Sequence, residues 1–272
     1  MFKDYYPVVH HVYGGPASQL VLKRYTVDWH TYLATSLGYV VFQMDARGTS
    51  GRGNAWKDAV YKQLGSAEAQ DQLAFGAWIK SQSYVKKDQV YVWGWSYGGY
   101  LASKILEADA NNVYTGGIAV APVSDWKFYG TRELVDWADF LSLLDSIYTE
   151  RYMLTPQENP NGYLQSAVSN FTNFYDKRYL LVHGTEDDNV HYQNAAVLVW
   201  NLVAAAVPFE MYIRNKLSIF PPFLILNTIP FGWQVCVHRQ RSQHQHWPQH
   251  DERPLLASDG LCPEPVKRDA QQ

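Results

Sequence analysis

Gly94-Trp95-Ser96-Tyr97-Gly98-Gly99-Tyr100 is the stretch of sequence that decides the fold. It holds the pattern Gly-x-Ser-x-Gly between a strand-like apolar run at residues 90–93 and a helix-like run at residues 100–106. In that setting the pattern predicts a nucleophile elbow, a tight strand-to-helix turn that lifts the serine hydroxyl clear of the sheet. We therefore predict that Ser96 is a nucleophile, flanked by glycines because side chains would clash in the turn, with helix N–H groups directed at an oxyanion. The alternative is a glycine-rich turn in which the serine only caps the helix.

Strand-like and helix-like segments alternate along the first three-quarters of the chain. Hydrophobic periodicity predicts strands at residues 8–13, 39–44, 90–93, 117–121, 179–182 and 209–213, and helices at residues 68–80, 100–106 and 191–206. Buried β-branched runs that alternate with helices predict a mostly parallel, doubly wound α/β sheet with helices on both faces. In such sheets active residues gather at the carboxyl ends of the strands, where the sequence places Tyr13, Asp45, Ser96 and Asp187.

The sequence changes character at about Leu217. Residues 1–216 are predicted to form one domain, whereas residues 217–272 are rich in Pro, Gln and His, lack periodicity and are predicted to be an irregular tail. Prolines interrupt an apolar stretch at residues 217–233, so we do not expect it to span a membrane. The first residues lack the apolar run of a signal peptide, and no compartment is indicated.

Composition and charge narrow the classes of function. The 272-residue chain has a net charge of −3, which gives no electrostatic reason to expect a nucleic-acid partner. Its two cysteines, Cys236 and Cys262, come late in the chain, so the predicted domain has no disulfide framework. Histidines in the tail are expected to be scattered surface residues rather than a metal site.

A serine nucleophile needs a base, and it needs an acid that orients the base. In α/β-hydrolases these follow in the chain order serine, acid, histidine. After Ser96 the best acid lies in His183-Gly184-Thr185-Glu186-Asp187-Asp188-Asn189-Val190-His191, which follows the strand predicted at residues 179–182. A run of three acids is also typical of a solvated loop, so position alone leaves both interpretations open.

Several motifs taken together resemble the catalytic domain of the dipeptidyl peptidase IV group, in the prolyl oligopeptidase family of serine peptidases. The motifs are Val12-Tyr13-Gly14-Gly15-Pro16, Asp45-Ala46-Arg47-Gly48, the elbow, and residues 64–72, 117–123, 148–153 and 183–191. They occur in order between about Tyr5 and Lys216. The resemblance implies an α/β-hydrolase fold and cleavage of peptides after Pro or Ala through an acyl-enzyme, without a metal or other cofactor.

The resemblance also implies roles for individual residues. Ser96 would be the nucleophile, Asp187 the acid of the triad, and the Tyr13 hydroxyl and Tyr97 backbone N–H the oxyanion donors. Asn189 would hold a carbonyl of the substrate. A small proline-like side chain would enter a pocket lined by Tyr97, Val123, Trp126, Tyr129, Tyr148 and Val190. Without the resemblance, these aromatic side chains would be expected in a core.

Four charged residues outside this set are interpreted as structural. Asp45 and Arg47 are expected to form a salt-bridged turn. Glu68 and Asp71, in the first turn of a predicted helix, are expected to act as capping and helix-dipole charges.

Three departures from the family pattern bear on activity. The family places a β-propeller before this domain, and its acidic residues grip the free amine of the substrate; the sequence in hand begins at the hydrolase domain. Residues 130–144 are an insertion of 15 residues in the pocket wall, able to form an extra helix and to push Tyr129 and Tyr148 apart. The catalytic histidine, expected shortly after the strand that ends near Ile213, is not identifiable, because the match stops at Lys216.

We therefore expect a serine peptidase of the dipeptidyl peptidase IV type, impaired by the missing histidine. Its expected partner is a peptide with Pro or Ala near the N-terminus, and the family implies a possible homodimer. Two alternatives remain open: a catalytically inactive binding or regulatory homologue, and a general esterase.

Overall fold

The computed structural model describes residues 5–129 and 148–214 of the chain. Six strands form one sheet in the order β2-β1-β3-β4-β5-β6. They are Tyr6–His11 (β1), Val40–Gln43 (β2), Val85–Trp95 (β3), Gly116–Val120 (β4), Arg178–Gly184 (β5) and Glu210–Arg214 (β6). All five pairings between these neighbours are parallel, which confirms the predicted sheet.

Helices follow most of the strands. They are Trp29–Ser36 (α1), Asn54–Lys57 (α2), Ala67–Ser81 (α3), Tyr97–Ala108 (α4), residues 148–153 (α5, its described part), Pro160–Ser166 (α6) and Gln193–Ala204 (α7), with short 3₁₀ turns at Asp58–Val60, Trp126–Phe128 and Thr172–Phe174. The sequence prediction missed α1. This helix is only eight residues long and begins at a capping box made by Asp28 and Thr31, a local signal that hydrophobic periodicity does not detect.

Alternate residues of each strand enter two separate cores. Val8 and Leu181 join a large core with α3, α4 and α7, whereas Val9 and Val182 join a second core with α1. Successive side chains of a strand point to opposite faces of the sheet, so helices cover both faces, as predicted. Because both faces are buried, the strands read in sequence as continuous apolar runs.

Part of the sequence interpretation falls on residues outside those described. The insertion at residues 130–144, the tail at residues 217–272 and the apolar stretch at residues 217–233 all lie there. Within the described ranges, no helix is long and apolar enough to cross a lipid bilayer, and no three His, Cys, Asp or Glu side chains cluster as metal ligands would.

A buried ion pair joins the end of α4 to the start of β5. The Nζ atom of Lys177 lies 3.1 Å from Oδ2 of Asp109, and both side chains are almost completely buried. The carboxylate also accepts the backbone N–H groups of Val113 and Tyr114, at 2.8 and 2.9 Å. The pair is therefore both charge-balanced and hydrogen-bonded, which a buried charge requires.

Replacing Lys177 with methionine should destabilise the fold strongly, because the Asp109 carboxylate would stay buried without its cation. We expect the free energy of unfolding to fall by about 3–5 kcal/mol in urea denaturation. The control is Lys57→Met, which removes a solvent-accessible pair between the half-buried Lys57 and the exposed Asp58, 3.6 Å apart, and should cost less than about 1 kcal/mol. Equal losses in the two variants would contradict the structural role given to the buried pair.

Candidate active site

Ser96 occupies a strained backbone position between β3 and α4. Its φ is 58° and its ψ is −120°, a conformation that residues other than glycine rarely adopt. Its backbone N–H donates to the carbonyl of Val120 at 2.9 Å, which ties the turn to β4. Ser96 is the N-cap residue of α4, but its side chain makes no capping hydrogen bond to the helix, so the hydroxyl does not have the capping role that the alternative interpretation gave it.

The glycines of the elbow are required by close approach of the backbone. A Cβ atom on Gly94 would lie 2.2 Å from the carbonyl oxygen of Gly98, and one on Gly98 would lie 2.3 Å from the carbonyl oxygen of Val12. Backbone atoms cannot rotate aside as a side chain can. The predicted clash is therefore confirmed, and it locks β1, β3 and α4 together at this point.

Tyr13 lies two residues beyond β1, beside the elbow. Its ring centroid is 6.3 Å from that of Tyr97. Burial raises the pKa of Tyr13 above its ordinary value, so the hydroxyl remains a protonated donor at neutral pH. Among the described residues, no group forms a hydrogen bond with this hydroxyl.

Tyr97 is buried at the start of α4. As the first helical residue it carries a backbone N–H that has no acceptor within the helix. Its hydroxyl donates to Oε1 of Glu68 at 2.7 Å. The Tyr97 backbone is thus fixed by α4 and its side chain by Glu68, and its backbone N–H is free of any hydrogen bond within the helix.

Asp187 stands apart from the two acids beside it, because it is buried while Glu186 and Asp188 are exposed. It follows β5 in the loop that leads to α7. Its Oδ1 atom accepts the backbone N–H groups of Asn189 and Val190, both at 3.0 Å. The structure therefore separates one ordered carboxylate from a loop whose other acids face solvent.

His183 supports the Asp187 loop from inside the protein. Its Nε2 atom lies 2.7 Å from the carbonyl oxygen of Val190 and 3.7 Å from Oδ2 of Asp187. Burial lowers the pKa of His183, against the opposing effects of this hydrogen bond and of Asp187, so the imidazole is neutral and Nε2–H donates to the carbonyl. Within residues 5–129 and 148–214, no histidine forms a hydrogen bond with Oγ of Ser96.

The aromatic residues assigned to the pocket do come together. The ring of Trp126 lies 5.4 Å from Tyr97, 5.7 Å from Tyr129 and 6.4 Å from Tyr148, measured between centroids. Tyr129 and Tyr148 meet edge-on at 6.0 Å, and the Thr149 hydroxyl donates to the Tyr129 carbonyl at 2.5 Å. The insertion between them therefore does not push the two tyrosines apart.

The remaining pocket residues differ in exposure. Val123, Trp126 and Val190 are nearly fully buried and belong to the large core, whereas Tyr129 and Asn189 are half-buried. The Tyr129 hydroxyl donates to Oδ1 of Asn189 at 2.8 Å. This bond fixes the orientation of the amide and leaves its Nδ2–H groups to point elsewhere.

The four charged residues interpreted as structural have partners that the sequence did not reveal. Arg47 binds Asp71 through Nε and Nη2 at 2.7–3.1 Å rather than Asp45. Asp45 instead accepts the backbone N–H groups of Leu20 and Val21. Glu68 is fully buried and contacts Tyr97, so its interpretation as a helix-end charge was incomplete.

Comparisons relate this arrangement to known proteins. Residues 25–217 match the family model described as "Prolyl oligopeptidase family". A protein from Fusarium vanettenii, named as a dipeptidyl-aminopeptidase B, is 47% identical over 206 residues, which are 75% of this chain and 21% of that protein. A protein of the same name from Talaromyces marneffei is 47% identical over 204 residues, again 21% of its length. The chain spans about a fifth of the length of these curated relatives.

Solved structures agree with the sequence comparison. The crystal structure of Porphyromonas gingivalis dipeptidyl peptidase 4 matches with a TM-score of 0.68 and 43% identity. The match covers 78% of this chain and 28% of that one.

The strain at Ser96 predicts an unusual order of stability among substitutions. Ser96→Gly should be more stable than Ser96→Ala by about 1 kcal/mol, because glycine adopts a positive φ without strain. Ser103 lies inside α4 and gives the matched control: there Ser103→Ala should be the more stable variant by about 1 kcal/mol. Urea unfolding of the four variants checks the prediction, which fails if alanine is preferred at both positions.

Proposed function

Because this chain belongs to the prolyl oligopeptidase family, we propose that it carries the catalytic machinery of a serine peptidase of the dipeptidyl peptidase IV type. The observation that carries the proposal is the strained elbow, in which the Ser96 side chain does not cap α4 and the next residue, Tyr97, packs its ring 6.3 Å from that of Tyr13. The relatives it matches are named dipeptidyl-aminopeptidases. Their name supports the assignment of a peptide as substrate.

In the proposed reaction, Oγ of Ser96 attacks the carbonyl carbon of the scissile bond while its proton passes to a base. The carbonyl oxygen becomes an oxyanion, which accepts hydrogen bonds from the Tyr13 hydroxyl and the Tyr97 N–H. The proton is then delivered to the amine as it leaves, and an acyl-enzyme remains until water hydrolyses it. Asp187 is proposed to be the acid of the triad, the group that orients a histidine base and stabilises its charged form where such a base is present.

The pocket supports specificity for a residue such as Pro or Ala. Its proposed walls are the rings of Tyr97, Trp126, Tyr129 and Tyr148, and aromatic faces suit a flat apolar ring. The Tyr129 hydroxyl occupies Oδ1 of Asn189, so the Nδ2–H groups of that amide are proposed to hold a carbonyl of the substrate. Dimerisation, as the family implies, is part of the same proposal.

The base is the component for which the sequence offers no family counterpart. After β6 ends at Arg214, the sequence contains no histidine until His238, whereas the family pattern has one within a short loop. We propose that this chain lacks the family base and turns over slowly, since loss of the base from a serine triad can cost on the order of 10⁶ in kcat.

Fluorophosphonate labelling tests the nucleophile without a need for turnover. We expect the folded chain to be labelled slowly, because Ser96 is only half-buried at the elbow but lacks the family base. Ser96→Ala should abolish the label. Ser81→Ala, at an exposed serine at the end of α3, should leave labelling unchanged. The site of labelling is read by mass spectrometry of the peptides. A folded protein that takes up no label, or takes it up elsewhere, would contradict the proposal.

Removing the Tyr13 hydroxyl tests the oxyanion site. Tyr13→Phe should slow labelling by about 10²–10³-fold, the usual effect of losing one oxyanion donor. It should change the melting temperature little, because the hydroxyl has no partner among the described residues. Tyr25→Phe, at a side chain that is 90% exposed, is the matched control. Equal labelling rates for the wild type and Tyr13→Phe would exclude Tyr13 from the oxyanion site.

A further inference from the structure

Glu68 is a fully buried carboxyl group in the first turn of α3. Its Oε1 atom accepts two hydrogen bonds, from the backbone N–H of Gly65 at 2.6 Å and from the hydroxyl of Tyr97 at 2.7 Å. Its Oε2 atom is buried and has no hydrogen-bond partner within residues 5–129 and 148–214. A buried ionised carboxylate would need partners for both oxygens, so this environment suits an uncharged group.

The titratable groups around Glu68 do not compensate a negative charge. The groups that interact electrostatically with Glu68 are Asp71 on the same helix, Arg47 in the loop after β2, Tyr97 and Tyr100 on α4, and Tyr148 on α5. The single cation in this set, Arg47, forms its ion pair with Asp71. Burial holds the pKa of each of the three tyrosines above its ordinary value, so they stay neutral.

We propose that Glu68 is a positioning residue of the active site, whose uncharged carboxyl accepts the hydrogen bond of Tyr97 and so fixes both a wall of the pocket and the N–H beside Ser96. Tyr97 links these two features, because its ring contacts Trp126 and its backbone begins α4 directly after the serine. The role of Tyr97 in catalysis rests on the proposed function. The contact between Glu68 and Tyr97, and the protonation of Glu68, do not.

Two further arguments support an uncharged carboxyl. Burial raises the pKa of Glu68, although the hydrogen bonds from Gly65 and Tyr97 act in the opposite direction. A negative charge immediately behind Tyr97 would also oppose the negative charge that develops on an oxyanion in front of it. The neutral group provides the acceptor without this repulsion.

The protonation state can be tested by comparing the wild type with Glu68→Gln, which keeps an acceptor at Oε1 but does not titrate. A group with a raised pKa in the folded protein stabilises below its unfolded pKa and loses that contribution as pH rises toward the folded pKa. The wild type should therefore lose stability relative to Glu68→Gln in urea unfolding as pH rises above about 4, the ordinary pKa of a glutamate. A difference that is constant, or that favours the wild type at higher pH, would overturn the proposal.

The positioning role can be tested with 3-fluorotyrosine incorporated at the tyrosines and the Tyr97 resonance assigned by its loss in Tyr97→Phe. Glu68→Ala should shift or broaden this ¹⁹F resonance, whereas Glu68→Gln should retain it. The matched control is Gln72→Ala, which removes another fully buried polar side chain one turn along α3, where it binds the Met44 carbonyl instead. An unchanged resonance in Glu68→Ala, or an equal shift in Gln72→Ala, would overturn the role.

Labelling rates connect the position of Tyr97 to the chemistry. Glu68→Ala should slow fluorophosphonate labelling by at least about tenfold relative to Gln72→Ala, and Glu68→Gln should restore it. If the wild type takes no label, the proposed function fails, yet the pH and ¹⁹F measurements still decide the role of Glu68. If Glu68→Ala does not fold, the pH dependence of Glu68→Gln stability still tests the protonation state. The role of the hydrogen bond between Tyr97 and Glu68 is then tested by labelling Tyr97→Phe, and a rate equal to that of the wild type would overturn that role.

Discussion

The contact of backbone with backbone at Gly94, Gly98 and Val12 is the constraint on which the rest of the site depends. No side chain fits between these segments, so β1, β3 and the start of α4 are held in one arrangement. That arrangement forces Ser96 into a positive φ, at a local cost of about 1–3 kcal/mol. The sheet supplies the compensation, because hydrogen bonds to Val120 and from Val12 continue on either side of the turn.

Tyr97 connects the elbow to the side chains around it. Its ring packs near the rings of both Tyr13 and Trp126, and its hydroxyl donates to Glu68 on a different helix. The oxyanion donors, the aromatic pocket and α3 therefore share one side chain. A disturbance at any of them reaches the others through a contact of a few ångströms rather than through the whole fold.

Local patterns in the sequence predicted most of this fold, and the long-range contacts explain what they missed. The elbow and the strands are visible because glycine spacing and apolar runs are local features. The same analysis missed the first five residues of β3, because this part of the strand is polar and its Lys87 and Asp88 side chains are exposed. The burial of Glu68 could not be seen, because it depends on Tyr97, which lies 29 positions later in the chain.

The hydrogen bond between Thr149 and the Tyr129 carbonyl has a consequence for how the protein tolerates insertions between these two residues. Tyr129 and Tyr148 contact each other, and the Thr149 hydroxyl donates to the Tyr129 carbonyl. These contacts hold the two tyrosines in place whatever the number of residues between them. The entropy of closing a loop grows only with the logarithm of its length, about 0.6 kcal/mol for each doubling. Extra residues inserted between Tyr129 and Tyr148 should therefore lower the free energy of unfolding only slightly, while the aromatic side chains of the pocket keep their arrangement.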